Sequence, residues 1–345
     1  MWTDISEALT AHSNLTYEQS RWAMDELMSG AVPDDVIAAF LLGLRAKGET
    51  ATEIAGLLDG LLAASVLVDV ATDVTDVVGT GGDGHHSVNI STMAAIVVAA
   101  SGRPVVKHGN RAATSKCGSA DVLEALGLTL ALTPESVATC VREVGIGFCF
   151  APAFHPSMRF VGPVRRSLGV PTVFNVLGPL ANPARARSML VGCADESKAE
   201  LITDVLSRRG TAAAVVRSHD GLDEVSTATQ TTFWWHGDRA NFDPVALGAI
   251  CASQSELAGG DAVENAEVVR AVFGGVRNTR IDAIRDCVAV NAAAASAVTD
   301  AAPDVSVTDL LLGTGELLEQ MRDVIATGAA GATLDGWVAL THDVK

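Results

Sequence analysis

The segment Asp76–Thr92 combines glycines with small hydrogen-bonding side chains in a spacing that suits phosphate binding. Gly79 to Gly84 read GTGGDG, which satisfies the letters of the dinucleotide fingerprint G-x-G-x-x-G. Glycines expose backbone N–H groups, and a following helix N-terminus adds positive potential. The polar side chains that could add hydrogen bonds are Ser87, Asn89, Ser91 and Thr92. We therefore expect this loop to hold a phosphate or diphosphate.

A nicotinamide dinucleotide is the first alternative ligand for this loop. A Rossmann unit places an acidic residue about 20 residues after the glycines to hold the ribose hydroxyl. Here the next strand runs into Lys107–Arg111 (KHGNR), and the nearest acid is Asp121. An NADP site could use an arginine instead, but the loop also continues into polar residues rather than directly into a hydrophobic helix. Both departures disfavour an NAD(P) dehydrogenase, and no G-K-[ST] follows to make a Walker A loop.

Two long segments lack acidic residues although the chain is acidic. Residues 84–120 and 144–194 contain no Asp or Glu, whereas 41 of the 345 residues are acidic and the formal net charge is −17. Their basic residues are Arg103, Lys107, Arg111, Lys116, Arg159, Arg165, Arg166, Arg185 and Arg187. Buried strands exclude charge and explain part of this pattern, but residues 107–121 are polar and loop-like. We interpret the two segments as halves of one anion pocket.

The stretch HDGLDEVST (219–227) offers the carboxylates of Asp220, Asp223 and Glu224. Neighbouring carboxylates on a turn are usually solvated. Beside a diphosphate they would instead be Mg²⁺ ligands, because Mg²⁺ prefers one or two carboxylates together with substrate phosphates. The residues alone leave both interpretations open.

Residues 1–69 are predicted to form a small all-helical domain. Two capping-box patterns, Thr16–Gln19 and Thr50–Glu53, mark helix starts. Pro33 and Gly48 are placed to open and close the helix between them. Three short amphipathic helices do not make a large core, so we expect them to pack on the rest of the chain or on a second subunit.

Residues 72–345 are predicted to form a larger α/β domain, in which a mainly parallel central sheet is covered by helices and followed by C-terminal helices. The predicted strands are VTDVVG, RPVVKHG, GIGFCFAP, SMLVGCA and TAAAVVRS. The proline-rich segment 155–187 interrupts this alternation, and we interpret it as a possible return to the helical domain. TFWWHG (232–237) predicts a packed sheet edge, and a last helix is expected near 313–328.

Composition excludes several classes of protein. The net charge of −17 argues against nucleic-acid binding, which needs basic surface. Six cysteines without a C-x-x-C pair predict reduced core thiols in a cytoplasmic protein. The N-terminal sequence has no secretory signal pattern, and the longest apolar run, near Met93–Ala100, is too short to span a membrane. We expect neither nucleic acid nor membrane as a partner.

Six motifs in order along nearly the whole chain resemble the anthranilate phosphoribosyltransferase family. They are GTGGD (79–83), N-x-S-T (89–92), KHGNRA with SKxGSADxLEALG (107–127), GIGFxFAPxxHP (145–156), VRRxLGxPTxFNxLGPLxNP (164–183) and DGLDE (220–224). The resemblance implies a small helical domain joined to a larger α/β domain, and a homodimer joined through the helical domains. It implies transfer of phosphoribosyl from 5-phosphoribosyl 1-diphosphate (PRPP) to the amine of anthranilate, a step of tryptophan biosynthesis.

The resemblance also implies the site residues. PRPP would be bound by Gly79, Gly82, Asp83, Ser87, Asn89, Ile90, Ser91, Thr92, Lys107, His108, Gly109, Asn110, Arg111, Ala112, Ala113, Thr114, Ser115 and Ser119. Mg²⁺ would be bound by Ser91, Asp223 and Glu224 together with the diphosphate. Anthranilate would meet Gly79, Asn110 and Arg165, with His108, Pro152 and Met158 lining its path. The chain departs from the family pattern at Ser87, where Thr is more usual, and at Cys117, where Ser is common.

The implied chemistry needs no acid, base or nucleophile from the protein, and we expect catalysis by positioning and electrostatic stabilisation. A pyrimidine nucleoside phosphorylase is a second hypothesis, since it has a related architecture and also attacks ribose C1. Asn110 together with Arg165 favours a carboxylate-bearing acceptor instead. A non-catalytic relative that binds nucleic acid is a third hypothesis, against which the net charge and the Asp223–Glu224 pair argue.

Overall fold

The structure is a computed structural model that describes residues 1–112, 115–302 and 304–344. The chain forms two compact units. A helical unit comprises Met1–Leu67 and Ala151–Pro183, and an α/β unit comprises Val68–Phe150 and Ala184–Lys345. Of the two segments without acidic residues, 84–120 lies in the α/β unit and most of 144–194 in the helical unit.

The elements are numbered here in chain order. The α-helices are α1 (Trp2–Thr10), α2 (Tyr17–Ser29), α3 (Asp34–Lys47), α4 (Ala51–Ala63), α5 (Ile90–Ala100), α6 (Ser119–Leu126), α7 (Pro134–Val144), α8 (Ala151–Phe154), α9 (Met158–Leu168), α10 (Phe174–Leu180), α11 (Glu196–Arg208), α12 (Gln254–Leu257), α13 (Ala262–Phe273), α14 (Thr279–Asp300), α15 (Val307–Ala326) and α16 (Ala329–Asp343). The strands are β1 (Thr75–Gly79), β2 (Val105–Gly109), β3 (Ile146–Phe150), β4 (Ser188–Gly192), β5 (Ala212–Ser218), β6 (Thr231–Trp235) and β7 (Asp238–Phe242).

The helical unit is built by the local signals that the sequence carries. Thr16 and Thr50 both form complete capping boxes at the starts of α2 and α4. α3 begins immediately after Pro33 and ends at Lys47, and Gly48 is its C-cap, so both residues stand where the sequence predicts them. The sequence did not predict α1, whose start has no side-chain cap.

A buried ion pair ties the loops of the helical unit together. The side chains of Lys47 and Glu53 are 3% and 0% exposed, and Lys47 Nζ lies 2.8 Å from Glu53 Oε2. Glu53 also accepts hydrogen bonds from Leu15 N and Thr50 N, both at 2.8 Å. Lys47 also donates to Asn14 Oδ1 at 3.1 Å. Both charges are therefore compensated inside the protein.

The α/β unit contains a seven-stranded sheet in the order β3-β2-β1-β4-β5-β6-β7. The first five strands are parallel, and β6 and β7 are antiparallel additions. The parallel strands are mostly buried because helices cover them. Gly79 pairs with Gly192 in register, so the carboxyl ends of β1 and β4 lie side by side. Ligands of open α/β sheets bind at such carboxyl ends.

The sequence misplaced one strand and one helix of this unit. The strand that carries Trp234 and Trp235 is not the sheet edge, because β7 pairs with it on its outer side. β7 has the polar sequence DRANF, which hides its strand character. α15 begins at Val307 rather than near 313, and α16 follows it beyond the predicted last helix.

Within the described part of the chain, no single helix has both the length and the apolar character needed to cross a bilayer. The bent pair α15 and α16 meets those two requirements jointly, by length and composition only.

Candidate active site

The glycine-rich turn after β1 lies directly against the acidic loop after β5. A Cβ atom on Gly79 would lie 2.6 Å from Asp223 Oδ2, so a larger residue there would displace the Asp223 carboxylate. Gly81 N donates to the same oxygen at 2.8 Å. Gly82 has a φ of 82°, a left-handed conformation that favours glycine. The turn therefore brings its backbone N–H groups to the carboxylate of Asp223.

The N-terminus of α5 joins the same cluster. Ser91 N donates to Glu224 Oε1 at 3.1 Å, and Lys107 Nζ donates to Ser91 Oγ at 3.3 Å. Lys107 is 2% exposed and also donates to the carbonyl oxygen of Val77. The fold thus brings together three residues that are separated in the sequence, namely Ser91, Lys107 and Glu224.

The charges of this cluster perturb one another. Desolvation and then the nearby charge of Asp83 raise the pKa of Asp223 to about 7. Desolvation and then the charge of Asp223 raise the pKa of Glu224 to about 8, against the opposite effect of Lys107. Burial lowers the pKa of Lys107, while the three carboxylates near it act in the other direction. Carboxylates held together in this way favour a cation as a ligand.

A buried asparagine side chain fixes the backbone of the acidic loop after β5. Asn291, on α14, is 0% exposed. Its Oδ1 accepts from Val225 N at 2.9 Å, and its Nδ2 donates to the carbonyl oxygen of Val225 at 2.8 Å. This amide fixes the backbone immediately after Glu224. Asn291 is not among the residues predicted from the sequence, although a lone asparagine in the run VAVNAAAASAV is a visible signal.

The second predicted phosphate loop follows β2 and is closed by Asp121 at the start of α6. Asp121 Oδ2 accepts from Ala112 N at 2.8 Å and from Gly118 N at 2.9 Å. The guanidinium of Arg111 pairs with Glu124 at 2.8 Å and with Asp121 at 3.1 Å. The charge of Arg111 is therefore already matched by carboxylates of α6.

The remaining predicted PRPP residues occupy the two loops with different exposure. Ile90 is buried, so only its backbone can reach a ligand, and the buried Thr92 hydroxyl has no hydrogen-bond partner in the described part of the chain. His108 N donates to Asp76 Oδ1 at 3.3 Å. The other described members are Gly109, Asn110, Ser115 and Ser119 in the second loop and Ser87 and Asn89 in the first. Ala113 and Thr114 lie outside the described residues.

Arg165, the predicted partner of the anthranilate carboxylate, belongs to α9 of the helical unit. Its guanidinium lies 4.8 Å from the ring centroid of Phe174. Burial lowers the pKa of Arg165. Across residues 1–112, 115–302 and 304–344, no carboxylate forms an ion pair with it. Arg165 is thus a half-buried cation stacked on an aromatic ring. Of the residues expected to line the path of anthranilate, Pro152 and Met158 belong to the same unit.

Known proteins resemble this chain over its whole length. Residues 3–65 match the helical bundle domain of the glycosyl transferase family, and residues 71–331 match its a/b domain. The chain is 49% identical to the anthranilate phosphoribosyltransferase of Rhodococcus opacus, over 99% of this chain and 93% of that protein. It is 49% identical to that of Salinispora arenicola, over 100% of this chain and 98% of that protein.

Solved structures of the same enzyme share the fold. The crystal structure of anthranilate phosphoribosyltransferase from Thermus thermophilus matches with a TM-score of 0.89 and 36% identity, covering 98% of this chain and 99% of that one. The enzyme from Saccharomyces cerevisiae in complex with PRPP and Mg matches with a TM-score of 0.88 and 26% identity, covering 99% and 98%. Sequence and fold therefore agree, and the chain belongs to the anthranilate phosphoribosyltransferase family.

Proposed function

We propose that the protein transfers the 5-phosphoribosyl group of PRPP to the amine of anthranilate, which gives N-(5-phosphoribosyl)anthranilate and diphosphate in tryptophan biosynthesis. The observation that carries this proposal is the approach of the turn 79–84 to Asp223 and of the N-terminus of α5 to Glu224. Backbone donors suited to a diphosphate lie beside carboxylates suited to its metal. The yeast relative has been solved with PRPP and Mg, and also with 4-fluoroanthranilate.

The residues present fit a magnesium ion. Among the described residues, no group of three or more His, Cys, Asp or Glu side chains forms a complete metal cage. Asp223 and Glu224 supply two carboxylates, and Ser91 supplies a hydroxyl beside them. Mg²⁺ keeps open positions for substrate phosphates and waters, so an incomplete oxygen site suits it. When bound, Mg²⁺ would neutralise charge on the departing diphosphate.

The protein's own part in the reaction is positioning. The aromatic amine is neutral at pH 7 and needs no base to become a nucleophile. The glycine turn and the N-terminus of α5 offer N–H groups to phosphate oxygens, and Ser87 and Ser91 add hydroxyls. These groups hold the reacting carbon in place while positive charge develops on the ribose. Lys107 supports the N-terminus of α5 through Ser91 Oγ.

Arg165 would hold the carboxylate of anthranilate. The Arg165 guanidinium has no ion-pair partner within the described ranges, and its stacking on Phe174 holds it in place without neutralising it. It can therefore bind a carboxylate through two parallel hydrogen bonds. Arg165→Ala should raise KM for anthranilate about 10- to 100-fold and leave KM for PRPP nearly unchanged. Arg166→Ala, its exposed neighbour on α9, is the matched control. Equal increases in both KM values would remove Arg165 from this role.

One assay tests the activity itself. Anthranilate is fluorescent, so its fluorescence should fall when the protein, PRPP and Mg²⁺ are mixed. The fall should require all three additions. Persistent fluorescence, together with phosphate-dependent cleavage of pyrimidine nucleosides, would identify a nucleoside phosphorylase instead.

We further propose a homodimer formed through the helical unit. A cleft of about 760 Å³ between α1 and α3 is lined by Trp2, Ile5, Leu9 and Phe40, and the exposed Leu42 stands at its border. A second copy of this unit would cover such an apolar surface. Light scattering should report twice the chain mass for the wild type and for Leu312→Asp, an exposed position on α15. Leu42→Asp should give the monomer mass.

A cytoplasmic location completes the proposal. The six thiols are all free, and five of them are buried. Reduced thiols of this kind are typical of a reducing compartment.

A further inference from the structure

A continuous row of hydrogen bonds links three loops of the α/β unit through two asparagine side chains. Gly260 N donates to Asn265 Oδ1 at 2.8 Å. Asn265 Nδ2 donates to Asn89 Oδ1 at 2.9 Å. Asn89 Nδ2 donates to the carbonyl oxygen of Cys117 at 3.2 Å. The row therefore runs from the loop before α13, through the first phosphate loop, to the second.

The two ends of the row fix the orientation of both amides. At one end, the N–H of Gly260 can only donate, and at the other the carbonyl of Cys117 can only accept. If either amide turned over, oxygen would face oxygen or NH₂ would face NH₂. Because Asn265 is only 1% exposed, water cannot compensate for such a mismatch. Each amide thus has one allowed orientation.

The side chain of Asn89 does not cap the helix that follows it. It occupies the position before α5 where an asparagine side chain normally caps the helix by accepting a backbone N–H. Its side chain makes no such bond. The amide instead lies between Asn265 and Cys117. The N–H groups of the first turn of α5 are consequently left to other acceptors. Among the described residues, the second hydrogen of Asn89 Nδ2 has no acceptor and can serve a ligand.

The thiol of Cys117 belongs to the same contact. Burial raises its pKa to about 11, and a hydrogen bond from the Asn265 side chain opposes that rise. Asn265 is therefore linked to the second loop through Asn89, whose Nδ2 donates to the carbonyl oxygen of Cys117.

We propose that Asn265 is a positioning residue for PRPP. It holds the Asn89 amide with its NH₂ group free to donate to a phosphate, and it fixes the distance between the two loops. Phosphate oxygens only accept hydrogen bonds, so a turned Asn89 would place its oxygen against an anion. This inference rests on the proposed function, because it assumes that the loops bind the phosphates of PRPP.

Substitution of Asn265 tests the proposal. Asn265→Asp keeps an acceptor for Gly260 N but replaces the donor that faces Asn89. Asn265→Leu removes both groups and adds no charge. Each variant should weaken PRPP binding in the presence of Mg²⁺, measured by calorimetry, about 10- to 100-fold. KM for anthranilate should stay within about twofold. Val272→Ala, on the same helix and equally buried, should lower stability without changing PRPP affinity.

A double-variant cycle separates positioning from a general loss of structure. Asn89→Ala alone should weaken PRPP binding, and adding Asn265→Leu should weaken it little further, because both residues act through one amide. Unchanged PRPP affinity in folded Asn265 variants, or fully additive losses, would overturn the inference. If neither Asn265 variant folds, unchanged affinity in Asn89→Ala overturns it. A wild-type protein that binds no PRPP would instead overturn the proposed function.

Discussion

Each unit of the chain encloses a lysine near carboxylates, and the two clusters differ in how their charges are matched. In the helical unit, Lys47 and Glu53 pair one to one, and hydrogen bonds satisfy both groups. In the α/β unit, Lys107 lies near Asp223 and Glu224 but donates to Ser91 Oγ and to a backbone carbonyl instead.

The difference separates a structural cluster from a ligand site. A matched and fully bonded pair has nothing left to offer a ligand, so its role is to hold loops in place. The α/β cluster has three acids, Asp76, Asp223 and Glu224, that act on a single lysine. Burial and neighbouring carboxylates raise the pKa values of Asp223 and Glu224 to about 7 and about 8, which is the direction expected where the protein's own groups leave an excess of negative charge unmatched. A bound cation would stabilise this negative charge.

The largest expected effect comes from neutralising the two carboxylates that create this excess of negative charge. Asp223→Asn together with Glu224→Gln should lower kcat/KM by more than about 1000-fold and steeply raise the Mg²⁺ concentration needed for activity. The free energy of unfolding should not fall, because one acid and one lysine remain and both amides keep an oxygen for the backbone donors. Steady-state kinetics across a Mg²⁺ titration and urea denaturation measure the two effects.

Asp220→Asn is the control for this pair, since Asp220 lies in the same loop but bonds to Leu222 N and Ser226 Oγ. Its Mg²⁺ dependence should match the wild type. An unchanged Mg²⁺ titration in the double variant would show that Asp223 and Glu224 do not bind the metal. The α/β cluster would then be structural, like the Lys47–Glu53 pair.

The second-largest expected effect is a loss of stability caused by a substitution in the helical unit. Lys47→Met leaves the charge of Glu53 buried without a partner, which should cost about 3–5 kcal/mol in the free energy of unfolding. Arg142→Met is the control, because its ion pair with Glu143 is exposed and should cost less than about 1 kcal/mol. Urea denaturation of the full chain compares them. A loss of similar size in both variants would show that the buried pair has no special structural role.

These clusters also show what a sequence can predict. Glu53 was predicted as a capping residue because the pattern Thr50–Glu53 is local, and the capping box is present. Its bonds to Leu15 and Lys47 could not be predicted, since they depend on how separate helices pack. The motif DGLDE identified Asp223 and Glu224 as candidate ligands, but not their approach to Gly79.

The errors in the fold have a similar physical origin. Strand β7 is polar and partly exposed, so its pairing with β6 is set by the sheet and not by its own hydrophobicity. α16 follows a single left-handed residue, Gly328, and contains glycines that weaken its helical pattern. Asn265 was missed because it lies 176 residues from Asn89. Only the folded chain brings them together.

The smallest expected effect concerns a buried side chain of the helical unit that is kept neutral. His155 is 5% exposed, and its Nδ1 lies 2.7 Å from Ser65 Oγ. Burial lowers its pKa to about 4 from the usual 6.5. Between these values the unfolded chain binds a proton that the folded chain does not, so stability falls as the pH is lowered through this window. Between pH 7 and pH 5 the loss should be about 2 kcal/mol.

The variant His155→Gln isolates this contribution. It keeps a polar side chain near Ser65 but cannot take up a proton, so its unfolding free energy should depend less on pH by the same amount. Urea denaturation at pH 7, 6 and 5 gives both slopes. Parallel slopes for wild type and variant would mean that His155 is not held neutral by burial. A difference in slope with an unchanged Mg²⁺ requirement would place His155 with Lys47 and Glu53, among the groups that stabilise the helical unit without serving the chemistry.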